Sequence, residues 1–442
     1  MAKLRGLAKG CGLIVAGAAA LIAVALIALF VWAHFVGPPT PLPAPKTAAE
    51  RVARNLKVFD AVWDDINRHY YDRTFHGQNW EAVRREFRPK AAAAVSDAEL
   101  YLLVMTPMTA KLNDSHTTVV PGGTADFLAP VGAAPPKTTC AKPPNTEGLG
   151  FWPGRSWARN GWRVVADFPK GSSADREGFE PGSEFLVRNY MVSSCGLDRM
   201  TLDILPMDNG PKRQVSYVVS QMAPEPSHEA HSLSDGVEVL RFNRFDFNDG
   251  AWLVGRLASA PTAGVILDLR HNNGGPIVVL EAIAGILEAP GRPLGTAMDA
   301  HGRHALRSRG LNPLDRIALN DFKTPASFQY RGPLVVLVGP GSASAAEILA
   351  RSLRFNGRAV LVGERTAGAV LAGHSYYLPD GGMVQVAVQD FEDPTGQRLE
   401  DQGVAPDIVA RQTLEAIRSD RDLVVEAADA AMSRARVLAR NP

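Results

Sequence analysis

The sequence predicts an α/β protein: a parallel-rich sheet with crossover helices, preceded by a helical segment and an apolar N-terminal stretch. Three observations carry this prediction. From about Asp235 onward, short β-branched runs alternate with helix-compatible segments, the βαβ rhythm of a parallel sheet. Between residues 47 and 112 the apolar residues instead recur at helical spacing. Residues 11–36 form an apolar run without a charged side chain, longer than the ~20 residues a bilayer-spanning helix requires. At 442 residues the chain exceeds one simple core and has room for two or three domains.

Taken in order, residues 1–46 predict a signal anchor and a Pro-rich linker. Lys3, Arg5 and Lys9 precede the apolar run, which orients the N-terminus inside and the rest of the chain outside. Residues 47–120 predict a helical domain: Val58, Ala61, Val62 and Ile66 make one stripe, and Trp80, Val83 and Phe87 begin another. Ser96 and Glu99 have the spacing of a capping box. Residues 121–146 are rich in Gly, Pro and Thr and predict a linker.

Within 147–223, the run Gly148, Leu149, Gly150, Phe151 is followed by strand, short helix, Gly-Pro turn and strand patterns. This order resembles a PDZ domain, and the resemblance implies a loop whose amides capture a peptide's terminal carboxylate while the peptide adds a strand. Cys140 and Cys195 would then meet an oxidising compartment, where they could pair or remain free thiols. Residues 224–410 predict the α/β core, with strands near 237–242, 265–270, 334–338 and 359–362 and helices near 250–257, 277–287 and 345–353. Residues 291–330 carry Gly, Pro and Arg without clear periodicity and are expected to form a flap over the site. Residues 411–442 predict an amphipathic helix packed on the core.

Chemistry is concentrated in four segments. Ser344 lies where the apolar strand 334–338 breaks at Gly339, Pro340 and Gly341 and a helix begins. Its hydroxyl can be held exposed there, with the amide of Ala345 in the partly positive first helical turn, an arrangement suited to a nucleophile whose attack creates an oxyanion. Gly274 and Gly275 follow another strand and allow close backbone approach. Ser115 and His116 occupy a polar turn after the helical segment, and Glu400 lies in a loop rich in Gly, Pro and Asp. Each segment alone has a plain reading: helix cap, ordinary turn, surface imidazole, solvated carboxylate.

Together and in this order, they resemble the serine peptidase family of the C-terminal-processing (tail-specific) and tricorn-like peptidases. The matching motifs are Leu-Asn-Asp-Ser-His-Thr, Asp-Leu-Arg-x-Asn-x-Gly-Gly, Gly-Ser-Ala-Ser-Ala-x-Glu-Ile and Glu-x-x-Gly-Val-x-Pro-Asp. The resemblance implies a crotonase-like (ClpP-type) catalytic core, Ser344 as nucleophile, and Ala345 with Gly274 or Gly275 as oxyanion-hole amides. The C-terminal-processing branch activates its serine with a lysine, but Ala369 stands at that position and the last lysine of the chain is Lys323. The tricorn-like alternative implies His116 as base, with Ser115 and Glu400 completing a tetrad.

The expected activity is that of a membrane-anchored serine endopeptidase at the inner (cytoplasmic) membrane, cleaving proteins or peptides outside the cytoplasm. The alternative is an inactive peptide- or ligand-binding protein on the same scaffold. A net charge of +1 without a basic aromatic patch argues against a nucleic-acid partner. The absence of His-Glu-x-x-His, Cys-x-x-Cys and Walker motifs argues against a metal or other cofactor.

Overall fold

The computed structural model describes residues 40–122 and 227–440 except 261–262, 320–322 and 420, together with the backbone of five strands between 156 and 218. Helix α1 (Ala48–His69) starts at Thr47, whose hydroxyl accepts the Glu50 amide at 3.2 Å, and α2 (Trp80–Ala93) starts at Asn79, which accepts that of Ala82 at 2.9 Å. The chain then winds through a π-helical turn (Glu99–Met105) into α3 (Thr106–Thr109) and strand β1 (Thr118–Val120). β2 (Ser156–Arg159), β3 (Trp162–Val165), β4 (Glu184–Met191), β5 (Arg199–Leu205) and β6 (Arg213–Val218) form an antiparallel meander.

The core begins with β7 (His228–Ser232), β8 (Glu238–Phe242), α4 (Phe247–Ala258), β9 (Val265–Asp268) and α5 (Ile277–Glu288). It continues through the hairpin β10 (Pro293–Asp299) and β11 (Gly302–Arg307), α6 (Pro313–Ala318), β12 (Leu334–Val338), α7 (Ala345–Phe355) and β13 (Val360–Gly363). β14 (Ala372–Tyr377), β15 (Met383–Glu392), β16 (Ile408–Val409), α8 (Leu414–Arg418) and α9 (Leu423–Arg440) follow.

Six strands in the order β16-β13-β12-β9-β8-β7 form the central sheet, parallel throughout except for β7. β12 explains why its sequence is apolar without alternation. Leu334, Val336 and Val338 pack toward α4, α5 and α7, while Val335 and Leu337 pack toward α9.

A second, antiparallel sheet runs β1-β15-β10-β11, with β14 on the other edge of β15. The helical segment does not close its own core: Val58, Phe59, Val62 and Ile66 share one apolar cluster with Leu371, Leu378, Val384 and Val386. That packing fixes the loop after α3 relative to the central sheet.

Residues 291–330 contain the hairpin β10–β11 followed by α6; the polar, largely exposed β11 leaves no hydrophobic alternation to read. One expectation needs correction: the C-terminal helix is two helices, α8 and α9. Among the described residues no helix is long and apolar enough to cross a membrane. The expected anchor (11–36), Cys140, Cys195 and the loop Gly148, Leu149, Gly150 and Phe151 lie outside the described residues.

Candidate active site

Ser344 stands at the entrance to α7 with φ 54° and ψ −122°, a region that a non-glycine residue occupies only when its surroundings impose it. The imposing contacts are explicit. Its amide donates to the Ala369 carbonyl at 2.8 Å and to Glu347 Oε2 at 3.1 Å. Two residues earlier, fully buried Ser342 donates its hydroxyl to the Leu269 carbonyl at 2.7 Å and accepts the Gly339 amide at 3.1 Å. Ser342 thus shapes the turn, while Ser344 is only partly buried.

The glycine pair is pressed against this turn. Asn272, fully buried, donates to the Phe242 carbonyl at 2.7 Å, and its backbone carbonyl accepts the Ala343 amide at 2.9 Å. A Cβ on Gly274 would come within 2.7 Å of Ser344 Cβ and 3.1 Å of the Ala345 nitrogen; one on Gly275 would strike the Phe245 carbonyl oxygen at 2.5 Å. The Gly274 amide is already engaged, donating to Asn272 Oδ1 at 2.8 Å. The amides of Gly275 and Ala345 meet no acceptor among the described residues.

His116 sits in the loop between α3 and β1. Asp114 Oδ1 accepts the amides of His116 (2.8 Å) and Thr117 (2.6 Å), and its Oδ2 accepts the Tyr70 hydroxyl at 3.0 Å. Ser115 Oγ lies 2.6 Å from His116 Nδ1. Burial pushes the imidazole below its ordinary pKa, opposed in part by the charges of Glu400 and Asp114. Glu400 is therefore within electrostatic reach of His116. It is 2 % exposed; Oε2 accepts the amides of Val370 (2.7 Å) and Leu371 (3.3 Å), and Oε1 has no hydrogen-bond partner among the described residues.

One residue that the motif contains but sequence reasoning left without a role is Glu347, which is fully buried. Its carboxylate accepts the Thr366 hydroxyl and the amides of Gly368 (2.8 Å) and Ala369 (2.9 Å), in addition to Ser344. Burial raises its pKa against the pull of these bonds. A charged residue in the buried first turn of a helix was the available signal. Glu347 ties Ser344 to the loop that also carries the amides bound by Glu400. Asp268 plays a second structural part. Burial would raise its carboxyl, but Arg270, which bridges Asp268 and Asp422 at 2.7 Å each, holds it well below the carboxylate range.

Comparison with known proteins identifies the family. The model of peptidase family S41 matches residues 238–410, spanning the glycine pair, Ser344 and Glu400, and that of the tricorn protease C1 domain matches residues 53–107, ending shortly before His116. The carboxyl-terminal-processing protease of Synechocystis sp. is 27% identical over 383 residues, covering 81% of this chain and 81% of its own. Carboxyl-terminal-processing peptidase 3 of Arabidopsis thaliana is 25% identical over 399 residues, covering 82% and 70%.

Among solved structures, the photosystem II D1 C-terminal processing protease shares the fold with a TM-score of 0.53 at 22% identity, over 86% of this chain and 97% of its own. The tricorn protease does so with a TM-score of 0.50 at 16% identity, over 87% and 37%. The two matched segments and these relatives lead to one conclusion: residues 238–410 are a peptidase family S41 domain, and the protein is a serine peptidase similar to the carboxyl-terminal-processing and tricorn peptidases.

Proposed function

We propose that this peptidase is anchored in the cytoplasmic membrane by residues 11–36 and cleaves proteins or peptides on the far side, with Ser344 as nucleophile and His116 as general base. Ser344 Oγ attacks the scissile carbonyl carbon while His116 takes its proton, and the amides of Ala345 and Gly275 receive the oxyanion. Collapse of the tetrahedral adduct expels the amine, which takes the proton back from His116, and leaves an acyl-enzyme that water resolves. Ser115 orients the ring through Nδ1, and the uncompensated Oε1 of Glu400 favours the imidazolium that forms. The PDZ-like segment 147–223 would select substrates by their C-terminal ends, in keeping with the names of the relatives.

The observation that carries this reading is the strained backbone of Ser344, pressed against Gly274 beside an Ala345 amide that meets no acceptor among the described residues. The test is fluorophosphonate labelling with mapping of the modified residue, run beside peptide hydrolysis. Ser344→Ala should lose the label and about four to six orders of magnitude of activity while keeping its Tm. Ser342→Ala should keep the label and lose stability, by roughly 1–3 kcal/mol for the amide and carbonyl left without its hydroxyl. A dead Ser342→Ala beside an active Ser344→Ala would place the nucleophile two residues away.

A further inference from the structure

One end of the protein is apolar on its outside. The strand register places Val120, Met383 and Tyr377 side by side across β1, β15 and β14, and Val120 and Tyr377 are 44% and 52% exposed. Beside β1, the exposed positions of the π-helical turn and α3 are Leu102, Leu103, Thr106 and Pro107, with Leu103 68% exposed and no charge among them; the first exposed charge follows at Lys111. A surface helix ordinarily turns charged residues outward. Contiguous apolar exposure marks a surface that something covers.

The two patches meet at the β14–β15 turn, where Tyr101, next to Leu102, donates its hydroxyl to Asp380 at 3.0 Å. The N-terminal segment docks on that same turn: Leu42 donates its amide to the Pro379 carbonyl at 2.7 Å, and Pro41 packs on Gly381. Five residue steps separate Pro41 from Val36, the last residue of the uncharged apolar run. Fully extended, they reach no more than about 18 Å.

We infer that this end is a lipid-docking face, with Leu102, Leu103, Val120 and Tyr377 seated in the interfacial region of the bilayer that holds residues 11–36. The inference rests on the anchored reading above and adds which surface the anchor holds against the membrane. A tether this short brings the turn to the bilayer surface. Uncharged leucines and an amphipathic tyrosine are the side chains that region accepts. The loop bearing Ser115 and His116 begins after Leu112, one turn beyond α3, so the site would face polypeptide ends that emerge close to the lipid.

The test uses full-length protein in phosphatidylcholine/phosphatidylglycerol vesicles, with the three native cysteines changed to serine and one environment-sensitive fluorophore attached in turn at Leu103→Cys, Tyr377→Cys, Val437→Cys or Val24→Cys. Labels at 103 and 377 should be quenched by shallow nitroxide lipids at least about twofold more strongly than the label at 437 on the C-terminal helix, since a docked apolar face sinks roughly 5–10 Å into the interface. If 103 and 377 behave like 437 while 24 is quenched, the anchor stands and the docking face is wrong. No quenching at 24 removes the anchor, and the docking face with it. Energy transfer between labels at 103 on two copies, equal in detergent and in vesicles, would assign the surface to a dimer and overturn the proposal. Variants that lose fluorophosphonate labelling at Ser344 are replaced by Leu102→Cys and Val120→Cys.

Discussion

With His116 as the proposed general base, its protonation governs when the site can act. Burial lowers the imidazole pKa more than Glu400 and Asp114 raise it, so the ring is neutral, and able to accept a proton, below the pH at which an exposed histidine would be. The acid limb of kcat/KM should therefore lie below about 6.5, the ordinary histidine value, and activity should fall as the pH drops through it. Glu400→Gln removes a charge that favours the imidazolium, so the limb should move to still lower pH while kcat falls. A limb that moves upward, or one retained in His116→Ala, would contradict the assignment. Gly274 is the second sensitive residue. With φ +96° and Ser344 Cβ 2.7 Å from where its own Cβ would lie, Gly274→Ala must displace the nucleophile. Activity should drop to background, with roughly 1–3 kcal/mol of backbone strain visible as a lower Tm. Unchanged kinetics would mean the turn is softer than its packing implies.

At the level of elements, two pieces of chain converge on the Glu347 carboxylate: the start of α7 and the loop 366–369. The residues that continue this loop, Val370 and Leu371, donate their amides to Glu400. Glu347→Gln keeps the volume but replaces one acceptor oxygen with a donor facing backbone N–H groups. As a positioning change it should lower kcat by about a hundredfold with KM nearly unaltered, in line with a displacement of about 1 Å at the nucleophile. Fluorophosphonate labelling should slow in parallel. If KM rises and kcat holds, Glu347 shapes substrate binding instead. Ala369 occupies the centre of this element: its carbonyl holds the Ser344 amide and its own amide reaches Glu347. Its methyl side chain brings no base, in keeping with the role proposed for His116.

Across the whole molecule, the proposed base and the proposed nucleophile come from different cores. His116 rides on a helical segment whose apolar residues pack against β14 and β15, while Ser344 rides on the central sheet between α7 and α9. The substrate selection proposed for residues 147–223 belongs to this scale. A peptide with a free C-terminal carboxylate should be turned over with lower KM than its amide, at equal kcat, because tethering raises effective concentration without touching the chemical step. Gly150→Asp should abolish the difference by repelling the carboxylate. Equal turnover of acid and amide by the unaltered enzyme would remove the carboxylate-reading role and leave the peptidase assignment intact.

Much of this was legible in the chain. Local patterns determined the strand–turn–helix around Ser344, the glycine pair and the parallel rhythm, because apolar runs and glycine breaks act over a few residues. The absence of a lysine after Lys323 was equally a matter of sequence. The tertiary structure decided what depends on distant partners. It showed that the Gly274 amide is taken by Asn272, that Glu347 gathers four donors, and that the helical segment completes its core with β14 and β15. It also found the pairing of β11, whose exposed residues carry no hydrophobic period. Hydrogen bonds and packing between segments far apart in the chain leave no periodic trace, and a buried carboxylate is identified only by the amides that surround it.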